Sequence, residues 1–312
     1  MRFALALSAG LLLALGASAS AGPTKKQIPL TTQDVPRSFL AELGAQLLDP
    51  DEVGTKGVGV PFIFPDDAKQ GSVEKTPIVY GIDLSHHNFP KGTNYDLPNL
   101  DKKLVAFVYM KASQGDTYFD PFFKKNWGQI KVLKGGYHFL SARVDPVAQA
   151  DNFIGQLSAV GYKAGHDLAP VLDLEWDCSA IVNSKCVHDY WSDLSRDEII
   201  RRITAASERI KAKLGIEPLY YSNAYWISSV GLGDTDFAKS AKWWLNDFTK
   251  KSQNAGKPQV PAGVTPLLWQ FTENGKLVPS CNPLSLKSLC TDTNRVMLPL
   301  DSFKSAMGVA AK

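Results

Sequence analysis

From about residue 77 onward, short apolar runs of strand length alternate with longer stretches that have helical spacing. Runs this apolar indicate burial on both faces, which is typical of strands in a parallel sheet. The pattern predicts seven strands, at 77–85, 104–112, 135–140, 169–176, 218–223, 242–248 and 266–271. It also predicts helices at 120–134 and 146–160, followed by a longer helix that starts near residue 195.

The helix near residue 195 has the clearest pattern. Ser195 and Glu198 have the spacing of a capping box, an apolar stripe follows, and Gly215 ends the helix. Alternation of strands and helices on this scale predicts an α/β fold, and a barrel is its natural closure. Because the later connections are shorter, we expect an irregular TIM-like (β/α) barrel in which some late helices are missing.

The two ends of the chain differ from this barrel. Residues 1–21 have the features of a secretory signal peptide, namely Arg2, a short apolar run and then small residues. A membrane anchor that is not cleaved is the alternative, but the apolar run is short for one. We assign 22–76 to an N-terminal extension or linker, 77–304 to the barrel and 305–312 to a C-terminal tail. We expect an exported protein, periplasmic or extracellular, that leaves the membrane after cleavage.

The composition says less about fold and function than the hydrophobic pattern does. The chain has 312 residues, 44% of them hydrophobic, and a net charge of +3, so the charge makes no case for nucleic acid as a partner. Four cysteines in an exported chain favour disulfides, and the simplest of three pairings is Cys178–Cys186 with Cys281–Cys290. Zinc binding competes with this interpretation, but the spacings are wider than those of common zinc knuckles.

Polar residues collect where the predicted strands end, and in α/β barrels those ends form the active-site face. The candidates for substrate binding there are Lys111, Tyr137, His138, Asp247, Trp269 and Gln270. Other interpretations remain open for some of them. A single histidine such as His138 is more often a hydrogen-bonded core residue, and tryptophans near strands more often pack than bind sugars. Tyr220 and Tyr221 alternate faces, so at most one of them lines the pocket.

The sharpest element is the pair Asp173 and Glu175 on the fourth predicted strand. Positions two apart on a strand share a face, about 6.6 Å apart at a rise near 3.3 Å per residue. Two carboxylates held this way repel each other, and the less solvated one gains a raised pKa. The resulting difference between the two pKa values gives one acid and one base at neutral pH. We predict that Glu175 is the acid, that Asp173 stays ionised to stabilise positive charge, and that Asp83 supports the pair.

Several motifs occur together in one order over about 220 residues. They are Gly81-Ile-Asp-Leu-Ser-His-His, Phe107-Val-Tyr-Met-Lys-Ala-Ser-Gln-Gly, Tyr118-Phe-Asp-Pro-Phe-Phe, Gly136-Tyr-His-Phe, Pro170-Val-Leu-Asp-Leu-Glu, Trp269-Gln-Phe and Asp292-Thr-Asn-Arg. In this combination, residues 79–300 resemble the family 25 glycoside hydrolases, the Chalaropsis-type lysozymes.

The resemblance implies hydrolysis of the β-1,4 bond from N-acetylmuramic acid to N-acetylglucosamine, with peptidoglycan strands as the partner and no cofactor. It implies that Glu175 is the acid, that Asp173 orients or stabilises a reacting N-acetyl group, and that Asp83 and Asp292 line the cleft. It also implies retention of anomeric configuration, which the estimated carboxylate spacing does not decide. We expect a monomer.

The chain departs from the family pattern in places. Gln114 stands where glutamate is common, and both predicted disulfides lie in loops that flank the cleft, which bears on substrate preference. Two other functions compete with the muramidase. One is a metal-dependent polysaccharide deacetylase, for which His86, His87, His138 and His166 would supply ligands. The other is a barrel that binds the wall without catalysis.

Overall fold

The computed structural model describes Phe62, residues 78–88, Leu97 and residues 105–182, 185–277 and 290–310. The predicted signal peptide, nearly all of the predicted extension, and Cys281 lie outside these residues. The strands are β1 Tyr80–Leu84, β2 Phe107–Gln114, β3 Tyr118–Phe119, β4 Leu133–Phe139, β5 Val171–Asp173, β6 Ile181–Val182, β7 Lys185–Cys186, β8 Leu219–Asn223, β9 Trp243–Asn246, β10 Pro266–Gly275 and β11 Thr291–Val296.

Eight of these strands form a closed barrel. Their order around it is β1-β2-β4-β5-β8-β9-β10-β11, and β11 pairs back onto β1. Every pairing from β1 round to β10 is parallel, whereas β11 runs antiparallel to both of its neighbours. The prediction of an irregular TIM-like barrel is therefore confirmed. The predicted set of seven strands lacked β11.

The helices are α1 Pro121–Trp127, α2 Pro146–Ala159, α3 Arg196–Leu214, α4 Ala224–Ser229, α5 Asp236–Ser240, α6 Lys250–Ala255 and α7 Leu300–Ala306. The helices after β8 are short, so the shorter late connections hold single turns. No helix in the described part of the chain is both long and apolar enough to cross a bilayer.

The predicted helix at 120–134 was too long. Helix α1 ends at Trp127, and β4 already begins at Leu133. The Lys134 ammonium donates to the Trp127 carbonyl over 2.8 Å, so a side chain from the next strand satisfies the end of the helix. Helix α3 matches its prediction at both ends. Ser195 Oγ accepts from the Glu198 amide, and Gly215 has a left-handed conformation.

Aromatic rings fill the barrel interior. The rings of Tyr109 on β2 and Trp244 on β9 are 5.1 Å apart, although these strands lie on opposite sides of the barrel. Glycine makes room for this packing on the neighbouring strands. A Cβ at Gly81 would lie 2.2 Å from the Phe107 ring, and one at Gly135 would lie 2.3 Å from the Tyr109 ring. Any larger residue at either position would push an interior aromatic ring out of place.

Alternate residues of the same strands face outward and pack under the helices. Val108 and Met110 of β2 belong to this outer core, as does Leu172 of β5. Inward and outward residues therefore alternate along each strand, as a parallel barrel requires. This alternation decides which side chains can reach the open mouth of the barrel.

Candidate active site

The Tyr221 hydroxyl lies at the centre of the polar mouth of the barrel. It donates to Gln270 Oε1 over 2.6 Å and accepts from Asn246 Nδ2 over 2.7 Å. Burial raises the pKa of Tyr221 well above its usual range, and the negative charges of Glu175, Asp173 and Asp83 raise it further. Charges from three carboxylates act on one hydroxyl, so the three acidic residues converge on this point.

Glu175 reaches the mouth from just beyond the end of β5. The predicted strand extended to Trp176, but regular pairing ends at Asp173. The alternation of faces continues past that end, because Leu174 is in the outer core and its amide donates to the Tyr221 carbonyl over 2.9 Å. Asn246 Nδ2 donates to Glu175 Oε1 over 3.3 Å. Asp173 and Glu175 therefore share the inner face, with only 7% and 4% of each residue exposed.

A second acidic pair lies where β1 meets β11. Asp83 stands opposite Asp292 in the antiparallel register. Burial raises the pKa of Asp83 to about 6 although Asn294 and Gln270 donate hydrogen bonds to its carboxylate. Burial also raises the pKa of Asp292 well above its usual range, and the nearby charge of Asp83 adds to this effect. Of the two carboxyl groups, Asp292 is therefore the one that more strongly favours its protonated form.

A chain of hydrogen bonds joins the two acidic groups. Asn246 donates to Tyr221, Tyr221 donates to Gln270, and Gln270 Nε2 donates to Asp83 Oδ2 over 3.0 Å. The chain crosses from β9 and β8 to β10 and β1, so four strands set the relative positions of the acidic groups. The sequence prediction included Gln270. Tyr221 was named only as one of two tyrosines of which at most one lines the pocket, and Asn246 was not among the predicted site residues, because only the fold brings them between the carboxylates.

Lys111 and Tyr137 occupy neighbouring strands in register with each other. Lys111 is almost fully buried, and its ammonium donates to Gln114 Oε1 over 3.0 Å. Tyr137 is half-buried and packs against the interior cluster. Because residue 114 is a glutamine here, Lys111 forms a hydrogen bond to a neutral amide, where a glutamate would form an ion pair.

His138 faces the outer layer, away from the inner face that carries the carboxylates. Its Nδ1 bonds Ser113 Oγ at 2.8 Å, and its ring stacks on Phe153 of α2 at 5.4 Å. Burial lowers the pKa of His138 to about 3, so the ring is neutral at physiological pH. The predicted substrate contact stays a prediction, while the structure places His138 in the alternative setting of a buried, hydrogen-bonded core residue.

Trp269 and Asp247 were also predicted to bind substrate, and both assignments stay predictions, with Asp247 in the lining of an open cavity. Trp269 is buried, with 2% of the residue exposed, and its indole donates to the Asp247 carbonyl. The Asp247 carboxylate accepts from Ser252 Oγ over 2.5 Å and from the Gln259 amide over 2.8 Å. Both residues therefore shape the loop after β9, and the Asp247 carboxylate is already engaged there.

The predicted disulfide between Cys178 and Cys186 is present, with an S–S distance of 2.06 Å. It closes the hairpin of β6 and β7, and its first cysteine follows Glu175 by three residues. Asp177 fixes the base of this hairpin, since its carboxylate accepts from Ser141 Oγ over 2.6 Å. Cys290 is disulfide-bonded as well, whereas Cys281, its predicted partner, lies outside the described residues.

Three of the four histidines proposed for a deacetylase have separate partners. His86 pairs with Asp120 and His166 with Asp167, while His138 bonds Ser113. Within the described ranges, no group of three or more His, Cys, Asp or Glu residues is arranged to hold a metal ion. This geometry gives the deacetylase hypothesis no support.

An open cavity of about 440 Å³ adjoins the carboxylates on the side of β8 and β9. Its lining includes Asn223, Tyr225, Asn246, Phe248 and Pro261. Asn246 belongs both to this lining and to the group that contacts Glu175. The sequence analysis missed the cavity, because residues from three separate loops form it.

Comparison with known proteins agrees with this geometry. The chain is 34% identical over 179 residues to the N,O-diacetylmuramidase of Chalaropsis, covering 54% of this chain and 78% of that protein. It is 26% identical over 278 residues to Lysozyme M1 of Streptomyces globisporus, covering 87% and 83%. YegX of Escherichia coli K12 is 24% identical over 176 residues, and this chain spans only about half of its length, 55%.

The fold also matches solved structures. The bacterial lysozyme from Streptomyces coelicolor superposes with a TM-score of 0.59 at 23% identity, covering 74% of this chain and 97% of that one. At this identity the likeness shows the fold. The family model of the glycosyl hydrolases family 25 matches residues 82–279, which include β5 and the carboxylates Asp83, Asp173 and Glu175. The chain belongs to glycosyl hydrolases family 25.

Proposed function

We propose that this protein is a muramidase that hydrolyses the β-1,4 bond from N-acetylmuramic acid to N-acetylglucosamine in peptidoglycan. The observation that carries the proposal is the hydrogen-bonded chain at the barrel mouth, which joins Glu175 to Asp83 through Asn246, Tyr221 and Gln270, with Asp173 on the same face as Glu175. Membership of the family supports it, as do relatives named lysozyme and N,O-diacetylmuramidase.

In this mechanism Glu175 is the general acid. Its proton passes to the glycosidic oxygen as the bond from that oxygen to the anomeric carbon breaks. A water molecule then bonds to the anomeric carbon and gives a proton back to Glu175. The hydrogen bond from Asn246 orients the Glu175 carboxyl group toward the mouth. Asp173, on the same face, stays ionised and stabilises the positive charge at the anomeric carbon or orients a reacting N-acetyl group.

Asp83 acts indirectly, through other side chains, and does not contact the bond that breaks. It stands opposite Asp292 and accepts a hydrogen bond from Gln270, which in turn accepts one from the Tyr221 hydroxyl. This arrangement keeps a further negative charge near the developing positive charge, and it fixes the hydroxyl between the acidic residues. We therefore assign Asp83 a positioning and electrostatic role.

The proposed setting is the cell wall. We propose that residues 1–21 direct export, that 22–76 precede the catalytic barrel, and that the enzyme acts as a monomer on glycan strands outside the cytoplasm. The features of a signal peptide in residues 1–21 support export.

The test is mass spectrometry of purified peptidoglycan digested by the wild type and by Glu175→Gln. The wild type should release fragments with muramic acid at the reducing end. The variant should lose activity by about 10² to 10⁴-fold, because it lacks the acid. Glu217→Gln is the matched control, since Glu217 pairs with Lys211 on the outer surface and should leave activity unchanged.

Other outcomes contradict the proposal in distinguishable ways. Fragments that end in glucosamine would identify a glucosaminidase. Binding of the wild type to peptidoglycan without release of new reducing ends would support the non-catalytic barrel. Circular dichroism of each variant separates loss of chemistry from loss of fold.

A further inference from the structure

Phe62, a residue of the N-terminal extension, lies against the barrel. Its amide donates to the Asn274 carbonyl, and its carbonyl accepts from the Lys276 amide, both over 2.8 Å. These two bonds form a parallel β-bridge to Gly275, so Phe62 pairs with one edge of β10 as a neighbouring strand would. On its other edge Gly275 pairs with Thr291 of β11. The end of β10 therefore lies between β11 and the extension.

The Phe62 side chain contacts two barrel strands at once. Its ring is 4.9 Å from the Phe271 ring of β10, in an edge-to-face arrangement, and 5.5 Å from the Tyr80 ring of β1. In the sheet, β11 lies between these two strands. All three rings are partly buried, and aromatic pairs of this kind stabilise a fold beyond the burial of their area. Phe62 thus joins β1 to β10 across β11.

This contact lies beside the strand pair that completes the proposed active site. The pairing of β10 with β9 ends at Gln270, five residues before Gly275. Two irregularities interrupt the pairing of β10 with β11 over the same stretch, and Asp292 directly follows the partner of Gly275. Irregular pairing leaves the end of β10 less constrained than a regular strand. A second contact on its other edge, from Phe62, limits how far this end moves.

Close packing carries any movement of Gly275 into β11. A Cβ at Gly275 would lie 2.1 Å from Thr293 Oγ1, and the Thr291 hydroxyl donates to the Gly275 carbonyl over 3.2 Å. Thr293 is followed by Asn294, whose side chain donates to Asp83 over 2.7 Å. A shift of the β10 end therefore changes the surroundings of the acidic pair at the mouth.

We propose that the N-terminal extension is an intramolecular partner of the barrel, docked through Phe62, and that Phe62 is a positioning residue for the β10–β11 side of the active site. Phe62 precedes the range 82–279 that matches the family model, so the match does not include this contact. The effect on catalysis rests on the proposed muramidase function, whereas the docking does not. The extension is thus part of the hydrolytic unit and more than a linker.

The experiment compares Phe62→Ala with the wild type in the full chain, at a temperature where both are folded. We expect kcat on purified peptidoglycan to fall about tenfold with KM within about twofold, because Gln270, Asp292 and Asn294 shift relative to the reacting bond. The Tm should fall by about 5 °C. Phe62→Tyr keeps the ring and should restore kcat to within about twofold of the wild type.

Hydrogen exchange measures the docking directly. In the wild type the Lys276 amide should be protected, because it donates to the Phe62 carbonyl. In Phe62→Ala this amide should exchange about tenfold faster, since the loss of the ring contacts allows the bridge to open more often. The amides of α3 should exchange at the wild-type rate in both proteins.

Phe237→Ala is the matched control for a general loss of stability. Phe237 is also a partly buried phenylalanine that contacts two aromatic rings, those of Tyr220 at 5.2 Å and Trp243 at 6.2 Å. Its removal should lower the Tm by a similar amount. The kcat and the exchange of the Lys276 amide should stay at their wild-type values, because this contact is on the outer side of β8 and β9.

Three results would overturn the inference. Folded Phe62→Ala with the wild-type kcat and wild-type exchange at Lys276 would refute both of its parts. Faster exchange with an unchanged kcat would leave the docking and remove the positioning role. An equal fall of kcat in Phe237→Ala would assign the effect to general destabilisation.

Two further arms keep the test decisive. If Phe62→Ala fails to fold, Phe62→Leu keeps an apolar side chain, loses the aromatic contacts and gives the same comparison of kcat with exchange. If the wild type releases no muramic reducing ends, the proposed function fails, while the exchange of the Lys276 amide still decides whether Phe62 docks the extension.

Discussion

Two regions of this barrel bury polar side chains, and they do so in opposite electrostatic states. At the mouth, neutral amides of Asn246, Gln270 and Asn294 donate to carboxylates whose charge burial disfavours. In the layer between β4 and α2, a neutral His138 bonds a neutral Ser113. The difference shows that polarity and burial alone do not mark an active site. An active site is marked instead by a group that keeps its charge although burial disfavours the charged form.

The strongest test of this comparison is Asp83→Asn at the mouth. We expect kcat/KM to fall about 100-fold, because a fixed charge near the reacting carbon is lost. The measurement is release of reducing ends from peptidoglycan. Asp301→Asn is the control, since Asp301 is exposed and pairs with Lys304 in a surface ion pair. Unchanged activity in Asp83→Asn would remove Asp83 from the mechanism.

The same variant should change how stability depends on pH. The pKa of Asp83 is raised to about 6 in the folded state from an ordinary 3.8. The folded state therefore binds more protons between these values, so this residue lowers stability as the pH rises from about 4 to 6. Asp83→Asn should lose part of that decline, which Tm measurements at pH 4 and pH 7 would show.

His138→Ala, in the outer layer, should have the next largest effect, and it should lower stability rather than activity. We expect the free energy of unfolding to fall by about 3 kcal/mol, because a cavity forms and Ser113 loses its partner. Activity should stay within about threefold of the wild type. Urea denaturation and kcat/KM, measured on the same samples, check both expectations, with Ser113→Ala as the milder companion. A loss of activity without a loss of stability would return His138 to the site.

The pH dependence of this stability has a definite sign. The pKa of His138 is lowered from 6.5 to about 3, so the folded state holds the neutral ring. Its contribution to stability is complete above pH 6.5 and is lost as the pH falls toward 3. The difference in stability between the wild type and His138→Ala should therefore shrink on acidification.

The smallest effect is expected for a substitution outside both regions, and it serves as the reference for the other variants. Ser195→Ala on α3 removes the side chain that accepts from the Glu198 amide over 3.2 Å. The loss of this cap should cost about 1 kcal/mol of stability and leave activity unchanged. Ser195→Asp keeps an acceptor at this position and should recover most of the loss in thermal melts.

Local features of the sequence predicted their structures well. Ser195 and Gly215 delimit α3, and the apolar runs gave most of the barrel strands, because caps and periodicity act within a few residues. The pairing of Asp173 with Glu175 on one face followed from the period of two, and it continued past the end of β5.

Long-range features were the ones that sequence reasoning missed. The antiparallel course of β11, and with it the facing of Asp83 and Asp292, depends on a pairing between the first and last strands. The roles of Asp247 and His138 depended on which neighbours the fold brings within hydrogen-bond reach. No spacing within a single segment reports such neighbours.

The direction of β11 also has a consequence for the order in which the protein becomes competent. Because β11 runs against its neighbours, its first residues reach the mouth, and Asp292 and Asn294 join Asp83 there only after more than 290 residues have been synthesised. A shorter nascent chain holds Glu175 and Asp173 but lacks the strand that joins β10 to β1. Completion of the hydrolytic centre is thus tied to the last stage of chain folding.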